Sequence, residues 1–382
     1  MGDEYCAAAQ IRKVCGGRES IMIIFLIVLF TFGAILELLS LKDNLSNIKY
    51  HSIPSKWGCE PGEVFQIVTS VSNYGHRTIP FLKIEEEFPS EINIQGAIND
   101  LELQRNFLYA NVLYIRGRQK ITRTIQASLP HRGRYLLEGC RLFGGDFLGI
   151  KENSKELKQQ EEIIIFPQLL QNTSIHEALS GYYGDFSARR FYLEDPILVS
   201  SYRDYTGREP MRSISWMQSA KRNHLMVKEF DYTQDLSVTI LLDVYLHWSE
   251  GAHSEQLEYC FSLARTIAEF MEQKKVSYRL LTNAHCNGNI IAEGVSKSGQ
   301  GSHHFTTLLF TLGQATANTF GSIDRLYDMA IQNYSGENAI FYVAPFENEK
   351  RSSLVNHLQN RLNSQVYPMY AAAILGGVKD AG

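Results

Sequence analysis

The first residue in this chain placed to do chemistry is an aspartate that ends an apolar run. Leu236-Ser-Val-Thr-Ile-Leu-Leu-Asp243 is a nearly continuous apolar strand closing on a carboxylate, and the carboxyl ends of such strands are where α/β sheets hold ligands. The chain continues to Tyr245 and His247. Neither is a good ligand for a hard divalent ion, which takes compact oxygen donors. Asp243 is therefore read as a degenerate metal position, and no cofactor is expected. Six cysteines (Cys6, Cys15, Cys59, Cys140, Cys260 and Cys286) contain no CxxC pair, which predicts isolated free thiols rather than a zinc or redox centre. His285-Cys286 and His303-His304 each stand alone, the second pair in a stretch that reads as a solvated loop. There is no P-loop and no H-E-x-x-H, and Gly294-Val-Ser-Lys-Ser-Gly299 misses the spacing of a nucleophile elbow. No nucleophile, base and orienting partner occur together, so the expectation is a protein that is not an enzyme.

The elements around Asp243 alternate. A helix is predicted over Ser254 to Glu272, a strand over Val276 to Leu281 and a helix over Ile323 to Ile331. A strand over Ala339 to Val343, a helix over Leu354 to Leu362 and a strand over Gln365 to Tyr370 follow. That order predicts a largely parallel sheet with helices on both faces, over residues 236–372. Residues 45–167 have a different rhythm. Glu63 to Asn73, Phe81 to Phe88, Phe107 to Ile115, Ile121 to Leu129, Arg134 to Phe143 and Glu161 to Pro167 read as short strands of a β-sandwich. The charged stretch Lys151 to Glu162 reads as a solvated loop or short helix. Ahead of these, after an N-terminal tail over 1–19, Ser20 to Leu36 carries no charge and Leu38, Leu39 and Leu41 extend it past Glu37. About 20 apolar residues suffice for a membrane-crossing helix, so a transmembrane anchor is expected over 20–42. The fold class expected is thus α+β and multidomain: transmembrane helix, β-sandwich-like domain, then an α/β domain. Hydrophobic residues at 44% and charged ones at 20% fit a globular chain, and a net charge of −4 gives no reason to expect a nucleic-acid partner.

The segment 168–235 joins the two domains and holds the most specific motif. It runs from Tyr202 to Phe230, and its distinctive positions are Arg203, Asp204, Tyr205, Gly207, Glu209, Arg212, Ile214, Trp216, Ser219, Ala220 and Lys221. Arg-Asp-Tyr, a glycine turn with an acid, Arg-x-Ile-x-Trp and Ser-Ala-Lys, followed by an apolar strand, resemble the signature of the bacterial family called domain of unknown function 58. Arg132-Gly-Arg-Tyr135, Gly145-Asp-Phe-Leu-Gly149 and Phe166-Pro167 resemble further elements of that family. The spacing departs from the commoner pattern: Gly207 comes two residues after Tyr205, and Thr-Gly-Arg-Glu-Pro replaces a Gly-Asp turn. By residue chemistry, Arg203 and Arg212 are forks able to pair with Asp204 or Glu209, and Trp216 would fill a gap between domains. The motif reads as an interdomain clasp or as a docking surface.

The resemblance implies a von Willebrand factor A-like (Rossmann-like) C-terminal domain. The D-x-S-x-S of such domains is lost here, because Tyr245 and His247 stand at the hydroxyl positions. It also implies a membrane-anchored, non-enzymatic interaction protein, a partner or adaptor of a MoxR-type AAA+ ATPase alongside other membrane proteins. Placement in the cell membrane is expected, single-pass because one span is visible where relatives usually carry two. The positive charges flanking it are balanced, and the soluble domains are expected on the cytoplasmic side because a MoxR-type ATPase needs cytosolic ATP. A ligand- or metal-dependent adhesion module of von Willebrand factor A type is the alternative.

Overall fold

The computed structural model describes residues 22–33, 45–95, 102–103, 106–145, 152–190, 199–230, 236–246, 254–286, 294–319, 322–362 and 364–380. The chain divides into two compact units: residues 1–130 with 135–163, and residues 131–134 with 164–382.

The first unit is built from β1 (Ile48–Pro54), β2 (Gly58–Cys59), β3 (Phe65–Asn73), β4 (Ile79–Pro89), β5 (Asn93–Ile94), β6 (Glu102–Leu103), β7 (Asn106–Ile115), β8 (Lys120–Ser128), β9 (Gly133–Gly145) and β10 (Glu152–Ile165). Strand order is β1-β3-β8-β5 in one sheet and β2-β10-β9-β4-β7-β6 in the other. Period-two alternation buries Phe65, Ile67, Thr69 and Val71 on β3, and Leu82, Ile84, Glu86 and Phe88 on β4. A charge therefore sits in this core. The carboxylate of Glu86, fully buried, accepts hydrogen bonds from the Tyr50 hydroxyl at 2.7 Å and the Thr69 hydroxyl at 3.0 Å, and pairs with Arg123. Burial, and then Glu86, push the Tyr50 hydroxyl pKa upward.

The charged stretch 151–162 is not the expected loop or short helix. From Glu152 it belongs to the fourteen-residue strand β10. Two of its half-buried residues, Lys155 and Gln159, are polar and bond main chain. Gln159 accepts from the Ser52 amide at 2.9 Å and donates to the Ser52 carbonyl at 2.6 Å, and the Lys155 ammonium reaches the Leu45 carbonyl at 3.1 Å.

The second unit opens with α2 (Thr173–Arg190), then β11 (Val199–Asp204), a turn of 3-10 helix (Met211–Ser213), α3 (Trp216–Arg222) and β12 (Met226–Phe230). The α/β part follows: β13 (Ser237–Leu242), α4 (Ser254–Gln273), β14 (Ser277–Thr282), β15 (Ala284–Cys286), α5 (Ser302–Gln314), β16 (Ala315–Thr319), α6 (Ile323–Gln332), β17 (Ala339–Ala344), α7 (Glu349–Arg361), β18 (Gln365–Tyr370) and α8 (Ala371–Asp380). The order β14-β13-β17-β18 is parallel throughout. Val238, Ile240 and Leu242 pack with Leu257, Phe261, Ala264 and Ala268 of α4 on one face. Leu241, Ile340 and Tyr342 pack with Leu326 of α6 and Leu354 and Leu358 of α7 on the other. Burial on both faces is why these strands read as unbroken apolar runs. His303-His304 is not a loop pair but lies in the first turn of α5, where His304 Nε2 is 2.9 Å from the Tyr278 carbonyl oxygen.

Two expectations are overturned. The described chain is mixed α/β, 34% helix and 40% strand over several sheets, rather than the expected α+β assembly headed by a transmembrane helix. Of the span expected over 20–42, residues 22–33 form a helix, α1, with exposed apolar side chains, and the rest lies outside the described residues. Among the described residues no helix is long and apolar enough to cross a membrane, so single-pass membrane placement is not supported.

Candidate functional site

All eleven signature residues fall within one antiparallel hairpin. Its strands β11 and β12 pair Tyr202 with Lys228 and Asp204 with Met226, and the Tyr205 amide extends the ladder to the Leu225 carbonyl at 2.9 Å. The intervening turn is organised by one carboxylate. Glu209 accepts from the Thr206 hydroxyl at 2.7 Å, the Thr206 amide at 3.1 Å and the Arg208 amide at 3.2 Å, and pairs with Arg203. The Thr206 hydroxyl, then Arg203, pull its pKa down from an ordinary 4.5 to about 2. Gly207 has φ +90°, and open space surrounds the position of a Cβ, so backbone conformation rather than room calls for glycine. Arg203 also approaches Glu229 at 3.6 Å, and Asp204 meets His224 at 2.8 Å.

Behind the turn, Ile214 is buried and bridges to Val227. The Ser215 amide donates to the Met226 carbonyl at 2.8 Å. The buried Ser219 hydroxyl donates to the Ser215 carbonyl at 2.7 Å and accepts from the Met226 amide at 2.8 Å. These bonds lock α3 against β12, and Asn223 in the left-handed region (φ 57°) ends the helix. Lys221 and Arg222 lie in its last turn, where cations favour the helix dipole.

The outer side of α3 differs from expectation. Trp216, expected to be buried, is 61% exposed; Met217 is 67% and Met211 70% exposed, with Leu225 and Tyr202 also open to solvent. Ala220, Arg212 and Lys221 are exposed beside them. Among the described residues it is Arg203, not Arg212, that pairs with Glu209.

Arg132, in the quoted Arg-Gly-Arg-Tyr element, lies in the second unit. It is bidentate to Glu258 at 2.7 Å, donates to the Leu312 carbonyl at 2.8 Å and to the Ala315 carbonyl, and stacks 3.7 Å over the Phe261 ring. It caps the C-terminal end of α5. Pro167 of the Phe-Pro element accepts from Arg265. Residues 146–149 lie outside the described residues.

A second cluster of polar side chains lies at the carboxyl edge of the parallel sheet. Asp243 follows β13 and is fully buried. One oxygen accepts from the Asn283 side-chain amide at 2.8 Å and the Tyr245 amide at 2.9 Å. The other accepts from the Tyr342 hydroxyl and Arg351 Nε, both at 2.9 Å. Arg351, itself fully buried, also donates to the Tyr245 and Phe346 carbonyls and lies over the Phe346 ring. A carboxylate has about four lone-pair directions, and here this chain's own donors take all four. The residues do not fit a bound divalent ion: the guanidinium already stands where a cation would neutralise Asp243. Burial, then Asp243, raise the Tyr342 pKa well above its ordinary value.

Beside this centre an open pocket of about 600 Å³ is lined by Tyr245, Ser322, Asp324, Tyr327, Lys350 and His357 among others. The Ser322 hydroxyl accepts from the Arg325 amide as the N-cap of α6. Among the described residues no group of three or more His, Cys, Asp or Glu is arranged to hold a metal. His247 lies outside the described residues. Sequence reasoning missed Arg351, Asn283 and Tyr342. One signal was available: Arg351 sits on the apolar stripe of Leu354, Val355 and Leu358, at i, i+3, i+4 and i+7, where an unpaired charge would be costly.

No protein-family model matches the chain, and no curated protein does. Partial likenesses to solved structures exist. A non-cellulosomal cohesin from Archaeoglobus fulgidus is 14% identical, with 34% of this chain and 97% of that one covered, at a TM-score of 0.22. A cohesin module of a Clostridium perfringens family 33 glycoside hydrolase is 12% identical over 31% and 95%, at 0.21. A β-glucosidase from Erythrobacter marinus is 10% identical over 31% of this chain and 15% of that one, at 0.19. At these TM-scores none carries an argument about fold or activity.

Proposed function

We propose that this chain is a non-catalytic interaction protein that docks a protein partner on the hairpin Val199–Phe230, and that the partner is a MoxR-type AAA+ ATPase. The observation that carries the docking role is the exposure of Trp216, Met217 and Met211 on a framework whose inner side is fully hydrogen-bonded. Solvent exposure of a Trp between two Met residues is costly to leave uncovered, and Trp, Met and Arg are the residue types that concentrate at interface centres. The choice of partner rests on the signature's resemblance to the domain of unknown function 58 family. A metal-dependent adhesion role is disfavoured by the saturation of Asp243 by Arg351, Tyr342, Asn283 and Tyr245.

The test uses the purified full chain and a MoxR-type ATPase in a binding titration. Trp216→Ala is expected to weaken binding by about 30-fold or more, the range of an interface hot spot, while thermal unfolding stays where the parent's is. Undiminished binding by a folded Trp216→Ala protein rejects the hairpin as the docking surface. Absence of binding by the parent rejects the ATPase as its partner.

A further inference from the structure

We infer that the surface met by the hairpin is acidic: an apolar segment or groove of a partner protein, rimmed by carboxylates. This rests on the docking role proposed above and adds the chemistry of the other side. From Tyr202 to Phe230 the chain carries six basic residues (Arg203, Arg208, Arg212, Lys221, Arg222 and Lys228) against three acidic ones, Asp204, Glu209 and Glu229, in a chain whose net charge is −4. The hairpin thus has the opposite sign to the molecule.

Each of the three acids has a partner within the hairpin. Glu209 is held by Arg203 and the turn amides, Asp204 faces His224, and Glu229 accepts from the Ser201 hydroxyl and lies near Arg203. Among the described residues, Arg208, Arg212, Lys221 and Arg222 have no ion-pair partner, and all four are exposed. Their placement frames the apolar centre. On α3, Trp216 lies one turn from Ala220 and Met217 one turn from Lys221, since residues four apart are neighbours on a helix face. The small Ala220 leaves the indole uncovered, and Arg212 follows Met211 directly. An apolar centre with a cationic rim is the complement of an apolar patch with an anionic rim. Phosphate-bearing partners fit less well, because a phosphate array offers no apolar surface to cover Trp216, Met211 and Met217 at the centre of the patch.

The experiment reads Trp216 directly. Trp57 and Trp248 are the other two tryptophans. With both replaced by Phe in the full chain, emission reports on Trp216 alone. The probes are a 20-residue amphipathic helical peptide of Glu and Leu, its Lys and Leu counterpart, phosphatidylserine vesicles and a single-stranded oligonucleotide. The expected result is a saturable blue shift with the Glu and Leu peptide alone. Its affinity should fall about tenfold between low and physiological salt, as for an interface steered by exposed charges. It should fall at least as far in an Arg212→Glu, Lys221→Glu variant. If that variant does not fold, Arg212→Gln with Lys221→Gln serves, with a smaller loss expected. Equal response to the Lys peptide, tighter response to vesicles or oligonucleotide, no response to any probe, or indifference to the charge changes each overturns the acidic partner. The docking role is judged separately. If Trp216→Ala abolishes ATPase binding while the charge variants retain it, the hairpin docks but its partner surface is not acidic.

Discussion

Arg351 and Asp243 form the residue pair on which the α/β core depends most sharply. Both side chains are fully buried. Their net worth over an apolar pair is small, because desolvation offsets attraction. Removing one alone is different, since it strands a charge in the interior. Arg351→Ala is expected to cost about 3–5 kcal/mol, and a paired Arg351→Met, Asp243→Leu change clearly less than the sum of the singles. Denaturant unfolding of the four proteins measures this, and an additive cycle would refute the coupling. At the hairpin, Glu209 makes a pH prediction. Its folded pKa is depressed, so its contribution to turn order is present above the ordinary 4.5 and is lost as pH falls towards about 2. The Thr206 and Arg208 amide resonances should hold their positions through pH 4.5 and move only near pH 2. Movement centred on 4.5 would mean the Glu209 bonds do not persist in solution.

At the scale of the element, a buried serine hydroxyl fastens the helix of the hairpin to its strand. Ser219 bridges the start of α3 and the edge of β12 with one donated and one accepted bond, both within 2.8 Å. Ser219→Ala leaves the Met226 amide without that acceptor in a buried place, an expected loss of about 1–3 kcal/mol. Hydrogen exchange should show that loss at Met226 and Val227 while β13 keeps its protection. Unchanged exchange at Met226 would show that the hydroxyl does not hold the helix. The exposed Trp216 belongs to the same element with opposite consequences. Its removal is expected to leave exchange unaltered, because surface substitutions lie within about 0.5 kcal/mol of neutral.

Two units with separate cores imply two separable stabilities. The first has its own buried charge: Glu86, held by Tyr50, Thr69 and Arg123 across the two sheets. Glu86→Ala leaves the Arg123 guanidinium without its carboxylate and is expected to destabilise by about 3–5 kcal/mol. Exchange measured residue by residue should place that loss in β1, β3, β4 and β8 and leave β13, β14, β17 and β18 protected. A loss spread evenly over both sets of strands would mean that the chain unfolds as a single cooperative body. Partner binding at the hairpin, which belongs to the second unit, should survive the substitution.

By itself the sequence determined the elements whose burial is local in pattern. The parallel strands β13, β14, β17 and β18 were legible because both faces are covered and apolar residues run on without alternation. Helix α4 was legible from its spacing of Leu257, Phe261, Ala264 and Ala268. The signature residues could be gathered into one site because a hairpin needs only neighbouring sequence. What tertiary structure alone decided are pairings across distance. Arg351 finds Asp243 from 108 positions along the chain, so the carboxylate's saturation leaves no mark on the residues beside it. Strand β10 looked like a solvated loop because most of its half-buried side chains are polar, and the main chain of residues 45–52, more than 100 positions earlier, bonds Lys155 and Gln159. Trp216 was expected inside because a large indole usually gains by burial. It is instead 61% exposed, on a helix held to β12 through Ser219 and Met226.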